Sequence, residues 1–329
     1  MTIYDIAAKA GVSASTVSRV INGRSGIGKA TRERVEAILK ETGFVIDEGA
    51  RSLVSQKSHM VGILVSDIRN QHHIEGAYMI LRRLQEEGYV CLLLNAGDSP
   101  DEKAECVRIL ARRKIDALVL VGSAFECPEV EAAIAAHMSS IPVVFQNGSF
   151  TLANVHSALA AEDRGTEEAV DHLYEEGRRR IAYVNNADTA SNRRKIAGYR
   201  RAMARHGLEP LIVPSCREDS GEAGGEATAS LLASHPDVDA IIFSIDITAV
   251  GACRYILDSG RRIPDDIAVI GTDDSPYARL ANPRLTSIDT KLQKLSDICC
   301  DMLLGALEGR GEDQSKAYVE ASLSVRETG

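Results

Sequence analysis

The first twenty-two residues, Met1 to Asn22 (MTIYDIAAKAGVSASTVSRVIN), constrain the chain more than any other stretch. Thr2 is placed to cap a helix running to Ala10, with Asp5 in its first turn near the positive end of the helix dipole. Ile3 and Ile6 give this helix one apolar face. Gly11 breaks it, and Ser13 caps a second helix from Ala14 to Asn22 whose inward side is Val17, Val20 and Ile21. Two short helices joined by Gly11, Val12 and Ser13 make a helix-turn-helix if they cross steeply, and Ala7 is the small residue that crossing needs. The outward face of the second helix carries Ala14, Ser15, Thr16, Ser18, Arg19 and Asn22. These groups are short or hydrogen-bonding apart from one arginine, which suits a helix lowered into a major groove. On this stretch alone, an ordinary hairpin of a helical domain is the alternative.

The next segments extend the reading. Gly23 to Lys29 comes within one residue of a phosphate-binding loop, but Ala30 stands where magnesium needs a hydroxyl and no buried strand precedes it, so that motif is rejected. Lys29 to Glu41 reads as a third helix with Val35, Ile38 and Leu39 inward, ended by Gly43. The run from Thr2 to Asn22, T-I-x-D-I-A-x-x-A-G-V-S-x-x-T-V-S-R-V-I-N, resembles the N-terminal signature of the LacI/GalR family of transcription regulators at nearly every fixed position. The resemblance implies that Ala14, Ser15, Thr16 and Arg19 meet base edges of double-stranded operator DNA, while Thr2, Ser13, Ser18 and Asn22 hold phosphates. It also implies that Phe44 to Lys57 folds into a hinge helix when two subunits meet on DNA. The small-Arg-Ser-Leu core of that hinge is Ala50-Arg51-Ser52-Leu53, with Leu53 wedged into the minor groove. Phe44, Ile46, Asp47 and Glu48 depart from the family pattern there; read without the family, the segment is a solvated tether.

Composition narrows the class. A length of 329 residues leads us to expect about two domains. With 44% hydrophobic residues and a mean hydropathy of −0.10, the chain reads as soluble with ample core. Few aromatics (4%, no Trp) argue against binding nucleic acid by stacking bases on rings. The sequence shows neither a charged-then-apolar leader nor an apolar run near twenty residues, so a cytoplasmic protein without a membrane partner is expected. Seven cysteines, odd in number and without C-x-x-C spacing, read as reduced thiols. The net charge of −9 is unevenly spread: Met1 to Lys57 holds nine Lys/Arg against six Asp/Glu, a balance of +3 that leaves −12 on the remainder. A basic head that meets phosphate and an acidic body that does not would have this distribution.

From Met60 onward, apolar strands alternate with helices. Strands are expected at Val61–Val65, Val90–Leu94, Ala117–Val121, Val143–Phe145, Ile181–Val184, Pro210–Val213, Ala240–Phe243 and Ala268–Ile270. The helices between them include Ile74–Glu87, Glu102–Arg112, Thr166–Glu175 and Ile196–Arg205. Such alternation means α/β doubly wound parallel sheets. The strands are too many for one sheet, which predicts two lobes with a boundary near Val155–Glu162 and a return crossing near Ser287–Thr290, before a helix at Lys294–Leu307. Local matches, such as Gly177-Arg-Arg-Arg-Ile181 and Ile263-Pro-Asp-Asp-Ile-Ala-Val-Ile-Gly271, extend the family resemblance over the whole chain. It implies a body like a periplasmic sugar-binding protein. The expected organisation is therefore a headpiece at 1–46, a hinge at 47–59 and an effector-binding, dimerising body at 60–329.

Ligands of doubly wound sheets bind beyond the carboxyl ends of the strands. That rule selects Asp67, Asn70 to His73, Asn95, Gln146, Asn147, Asn185, Asn186, Asp246, Asp273 and Asp274, and Arg193 and Lys195 are added because they precede the helix entering Gly198-Tyr199. These residue types suit a hydroxyl-rich or anionic ligand such as a sugar or sugar derivative. Family positions favour Asp273, with Asn70, His72, His73, Asn147, Arg193, Lys195 and Asp246 around it. An acid–base enzyme using His72, His73, Asp246 and Asp273 is the competing class, opposed by the lack of any nucleophile elbow, metal spacing or cofactor fingerprint. A sugar-transport component is a third. The expectation is a noncatalytic homodimeric repressor, without cofactor or metal, on a pseudo-palindromic operator. Without a heptad repeat after the last expected strand, a dimer is expected rather than a tetramer.

Overall fold

The computed structural model describes residues 2–21, 25–43, 58–214, 219–310 and 315–329. The chain divides into two compact units, Met1–Ser58 and His59–Gly329.

In the first unit, helix α1 (Ile3–Ala10) begins at a complete capping box, in which Thr2 Oγ1 accepts from the Asp5 amide and the Asp5 carboxylate accepts from the Thr2 amide. It stops at Gly11, whose φ of 64° is a left-handed conformation that glycine adopts without steric cost. Helix α2 (Ala14–Ile21) follows, and Ser13 Oγ accepts from the Thr16 amide at its start. Helix α3 (Lys29–Thr42) runs from Gly28 to a second left-handed glycine, Gly43. Ile6, Ala7, Ala10, Val17, Val20 and Val35 form the shared core. Burying Ile6, Val17 and Val35 fully stabilises such a small unit by about 1.5–3 kcal/mol per side chain.

The second unit contains two six-stranded sheets. The first sheet comprises β1 (Met60–Val65), β2 (Val90–Asn95), β3 (Ala117–Val121), β4 (Val143–Gln146), β5 (Val155–Ala160) and β11 (Lys316–Val319), in the order β11-β5-β4-β3-β1-β2. The second comprises β6 (Ile181–Val184), β7 (Leu211–Val213), β8 (Ala240–Phe243), β9 (Ala268–Thr272), β10 (Thr286–Asp289) and β12 (Ser322–Ser324), in the order β12-β10-β9-β8-β6-β7. Every pairing is parallel except β12 on β10. Helices α4 (Gln71–Glu86), α5 (Pro100–Arg112), α6 (Pro128–His137) and α12 (Leu292–Leu307) cover the first sheet. Helices α7 (Glu162–Glu175), α8 (Ala190–Arg205), α9 (Gly221–Ser234) and α10 (Asp246–Asp258), with the short α11 (Pro276–Leu280), belong to the second.

The two-lobed α/β architecture is the one the sequence implied, with differences in detail. Val155–Glu162 is not a bare boundary: Val155–Ala160 is β5, paired with β4 and β11, and the chain leaves the first lobe only at Ala161. Thr286–Asp289 is likewise a strand, and the return crossing follows it at Thr290–Lys291. A third crossing joins β11 in the first lobe to β12 in the second. The apolar run Val90–Leu94 reads as a buried strand but forms the sheet's edge, where Val90 and Leu93 are exposed.

Candidate functional site: a DNA-reading helix and an interlobe cleft

Helix α2 directs Val17 and Val20 inward, which leaves Ser13, Ser15 and Arg19 exposed and Ala14, Thr16 and Ser18 partly so. The Ser13 hydroxyl lies 2.8 Å from that of Ser15 and 2.9 Å from that of Thr16, a small polar cluster at the helix start. Amides at such a start are ready-made anion donors. Thr2 is exposed and occupied by its capping box. Asn22, Ala50 and Leu53 lie outside the described residues, as does the rest of the hinge from Phe44 to Lys57.

Between the lobes lies a cavity of about 660 Å³, continuous in lining with a smaller one of about 50 Å³. The carboxyl ends of both sheets face it, as the doubly wound rule requires. Of the residues expected there, Asn70, His72, His73, Asn147, Lys195 and Asp273 line the larger cavity, and Asp246 lines the smaller one with Asn70, His72 and Asp273. Asp67 and Asn186 also line the larger cavity. Asn95, Gln146, Asn185 and Asp274 serve the scaffold instead. Asn95 accepts from the Ile68 amide, and Gln146 donates to Ser296 beneath α4. Asn185 donates to the Ala187 carbonyl, and Asp274 pairs with Arg326 and Arg279.

Arg193 is a correction. It does not line the cavity; its side chain is 60% exposed and pairs with Asp188 at 2.7 Å. The cause is the helix boundary. Because α8 starts at Ala190 behind the N-cap Thr189, residues 191, 192 and 195 share its buried face, while residue 193 points away. Lys195 is buried, and its Nζ donates to the Ser244 carbonyl at 3.0 Å and lies 3.7 Å from Glu162. It supports the wall rather than offering a free ammonium group.

The polar groups missed by the sequence reading cluster around Glu162. Its carboxylate accepts from Ser191 Oγ at 2.6 Å, Asn147 Nδ2 at 2.9 Å and Arg194 Nη2 at 2.9 Å. Burial pushes this carboxyl up, but Lys195, Arg194, Ser191 and Asn147 outweigh burial and leave it below the usual range. Asn147 sits on the first lobe and Glu162 on the second, so this cluster holds the lobes together. Further contacts cross the cleft: Asn70 Nδ2 donates to Asp219 at 3.1 Å, the Ser191 amide donates to Ser123 Oγ at 3.1 Å, His72 Nδ1 lies 3.6 Å from Asp273, and Arg194 lies 3.9 Å from Glu126. Glu162 escaped because β5, which delivers it, was read as a boundary. Ser191 and Asn192 escaped with the early start of α8, for which Thr189 was the available signal.

Two cavity groups are strongly displaced in acidity. Burial, aided by His72 and Lys195, lowers His73 to about 3, so its imidazole is neutral; its Nδ1 is buried without a hydrogen-bond partner. Burial and the nearby Asp273 raise Asp246 to about 7, although Ser287 Oγ and the Ser275 amide donate to it at 2.6 and 2.7 Å. Asp273 and Asn147 adopt positive φ, 103° and 60°, on loops facing the cavity. Strained backbone of this kind gathers at ligand sites.

A helix-turn-helix unit joined to a two-lobed α/β body with a polar cleft defines a ligand-responsive, DNA-binding transcription regulator. The comparisons agree. Residues 2–47 match the bacterial regulatory proteins of the lacI family, and residues 170–328 match a periplasmic binding protein-like domain. An HTH-type transcriptional regulator of Lachnoclostridium phytofermentans is 31% identical over 333 residues, covering 100% of this chain and 99% of its own. The regulator CelR of Thermobifida fusca is also 31% identical, covering 100% of this chain and 98% of its own. A lac repressor dimer bound to operator and the anti-inducer ONPF superposes with a TM-score of 0.90 at 27% identity, covering 100% of this chain and 98% of that one. The chain belongs to the LacI family of bacterial transcription regulators.

Proposed function

We propose that the protein is a homodimeric repressor of a pseudo-palindromic operator, released or engaged by a carbohydrate-class effector in the interlobe cleft, and that it is not an enzyme. The observation that carries this reading is the cleft itself: a polar cavity of about 660 Å³ whose walls come from both lobes, so that an occupant bridges them. Arg19 takes a guanine bidentately and Ala14, Ser15 and Thr16 lie along neighbouring bases. Thr2, Ser13, Ser18 and Asn22 hold phosphates, and Ala50 and Leu53 enter the central minor groove. Asn70, His72, His73, Asn147 and Asp273 face the effector, backed by Lys195 and Asp246.

Relatives support the sugar class. A CelR–cellobiose complex superposes at a TM-score of 0.73 with 27% identity, and a ribose operon repressor of Escherichia coli is 31% identical over 313 residues. Self-association is supported by apolar side chains left in solvent around edge strand β2 and helix α11: Tyr78, Val90 and Leu93 in the first lobe, Tyr277 and Leu280 in the second. Apolar side chains exposed on an unpaired sheet edge, as Val90 and Leu93 are, suit cover by a partner subunit. Among the described residues, no helix is long and apolar enough to cross a membrane, and no group of three or more His, Cys, Asp or Glu is placed to hold a metal ion.

The test is fluorescence anisotropy on DNA from upstream of the protein's own gene, comparing the full chain with a fragment starting at Met60 at two salt concentrations. Tight, salt-sensitive binding by the full chain alone supports the reading. Equal binding by the fragment, or none by the full chain, overturns it.

A further inference from the structure

We propose that the effector is a cation, a hydroxyl-rich amine of the amino-sugar class whose ammonium group is held by Asp273 and Asp219. This rests on the cleft being the effector site and goes on to name the charge of its ligand.

Among the described residues, the larger cavity is lined by five carboxylates: Asp67, Asp98, Glu162, Asp219 and Asp273. Two of them are neutralised within the protein, Asp67 by Arg69 at 2.7 Å and Glu162 by Arg194 and Lys195 at 2.9 and 3.7 Å. The other three have no lysine or arginine partner among the described residues. Asp219 accepts from the neutral amides of Asn70 and Asn186, which orient the carboxylate without discharging it. Asp273 has an imidazole, His72, at 3.6 Å, and Asp98 is exposed at the rim. Asp219 and Asp273 both line the small cavity as well as the large one, so they flank the passage between them.

Among the described residues, no lysine or arginine of the lining is left to meet an anion, and the imidazole of His72 already faces Asp273 at 3.6 Å. Arg69 and Lys195 are its only lysine or arginine side chains among the described residues, and both are committed to the contacts just given. Arg193, which would have served a phosphate or carboxylate, points away on the surface. His73 is neutral by burial. An anionic sugar placed here would meet like charges in a partly dehydrated cleft, where repulsion is stronger than in open water. An ammonium group would gain charge-assisted bonds to carboxylates already fixed in orientation. The hydroxyls of Ser123 and Ser220, each accepting one backbone amide bond, can still donate to ligand oxygens, and Asn192 Oδ1 can still accept while its Nδ2 bonds Asn186 and Ala187.

The experiment is isothermal calorimetry on the full chain, with matched probes on glucose, galactose and mannose frames. Each frame supplies the free sugar, the 2-amino-2-deoxy sugar, the uronate and the 6-phosphate, and the proteins are wild type, Asp273→Asn and Asp219→Asn. Asparagine tolerates the positive φ at position 273, so that variant keeps its backbone. The expected result is that one amino sugar binds about tenfold or more tightly than its neutral parent, that the anionic members do not bind, and that each substitution weakens the amine about tenfold. Neutral or anionic members binding as tightly as the amine, amine binding unchanged in both variants, or no amine binding at all would overturn the proposal. Operator anisotropy of the wild-type chain is read in parallel. Its failure counts against the regulator reading, whereas calorimetry alone judges the charge.

Discussion

Arg19 is the one long cation on the exposed face of α2, surrounded by Ser15, Thr16 and Ser18. On the proposed reading, removing it deletes one bidentate base contact, and it leaves the headpiece core untouched because the inward residues are Val17 and Val20. Arg19→Ala is therefore expected to weaken operator binding by about 1–3 kcal/mol and to relax discrimination at one base position, read by titrating single-base operator variants. Equal affinity of wild type and variant for every operator would contradict the assignment. A second residue-scale prediction concerns His73. Its folded pKa, about 3, lies below the ordinary value of 6.5, so its contribution to stability is present above pH 6.5 and is lost as pH falls toward 3. Asp246 acts with the opposite sign: raised to about 7, it favours the folded state at low pH and loses that contribution as pH rises through 3.8 to 7. The two oppose each other between pH 4 and 6.5. The stability of wild type relative to His73→Gln should therefore fall on going from pH 7.5 to 4.5, by on the order of 2 kcal/mol, in urea unfolding at each pH. A difference independent of pH would contradict a buried neutral imidazole. At this scale the sequence pointed to His72, His73 and Asp273 because strand ends are easy to find. It placed Arg193 wrongly because a six-residue error in where α8 starts turns a loop residue into an outward-facing helical one.

Elements with local signals were legible, and those defined by partners were not. Thr2, Gly11, Ser13 and Gly43 mark the headpiece helices to within a residue or two, because caps and left-handed glycines act within one turn. The central strands are continuous apolar runs. By contrast β5 (VHSALA), β10 (TSID), β11 (KAYV) and β12 (SLS) are short or mixed in polarity, and only pairing across large sequence separations makes them strands. Helices α9 and α10 supply an element-scale prediction. A Cβ on Gly251 would come 1.8 Å from the Gly221 carbonyl oxygen, and one on Gly224 would come 2.0 Å from that of Thr248. Alanine in a helix interior normally gains up to about 1 kcal/mol over glycine. Here backbone blocks the methyl group, so the two helices must separate, and overpacking of that kind costs about 1–3 kcal/mol. Gly251→Ala should therefore lower the urea midpoint despite its better helix propensity. A raised midpoint would show that the helices slide apart freely. The rigidity matters because α10 begins at Asp246, on the small cavity.

For the whole molecule, the uneven charge and the polar bridge between lobes belong to one account. On the proposed reading the basic N-terminal segment meets DNA, the acidic body avoids it, and the effector enters a cleft bridged by Asn147–Glu162, Asn70–Asp219, Ser191–Ser123 and His72–Asp273. A ligand that favours one lobe arrangement over another changes operator affinity, and linkage makes the effect reciprocal, at about 1–3 kcal/mol or roughly 5–150-fold. The most direct test is a pair of titrations on the full chain with a cleft ligand found by calorimetry. One measures operator affinity with and without saturating ligand; the other measures ligand affinity with and without saturating operator. The account predicts that the two ratios are equal and differ from one. Operator affinity that stays constant while the ligand fills the cleft would contradict it.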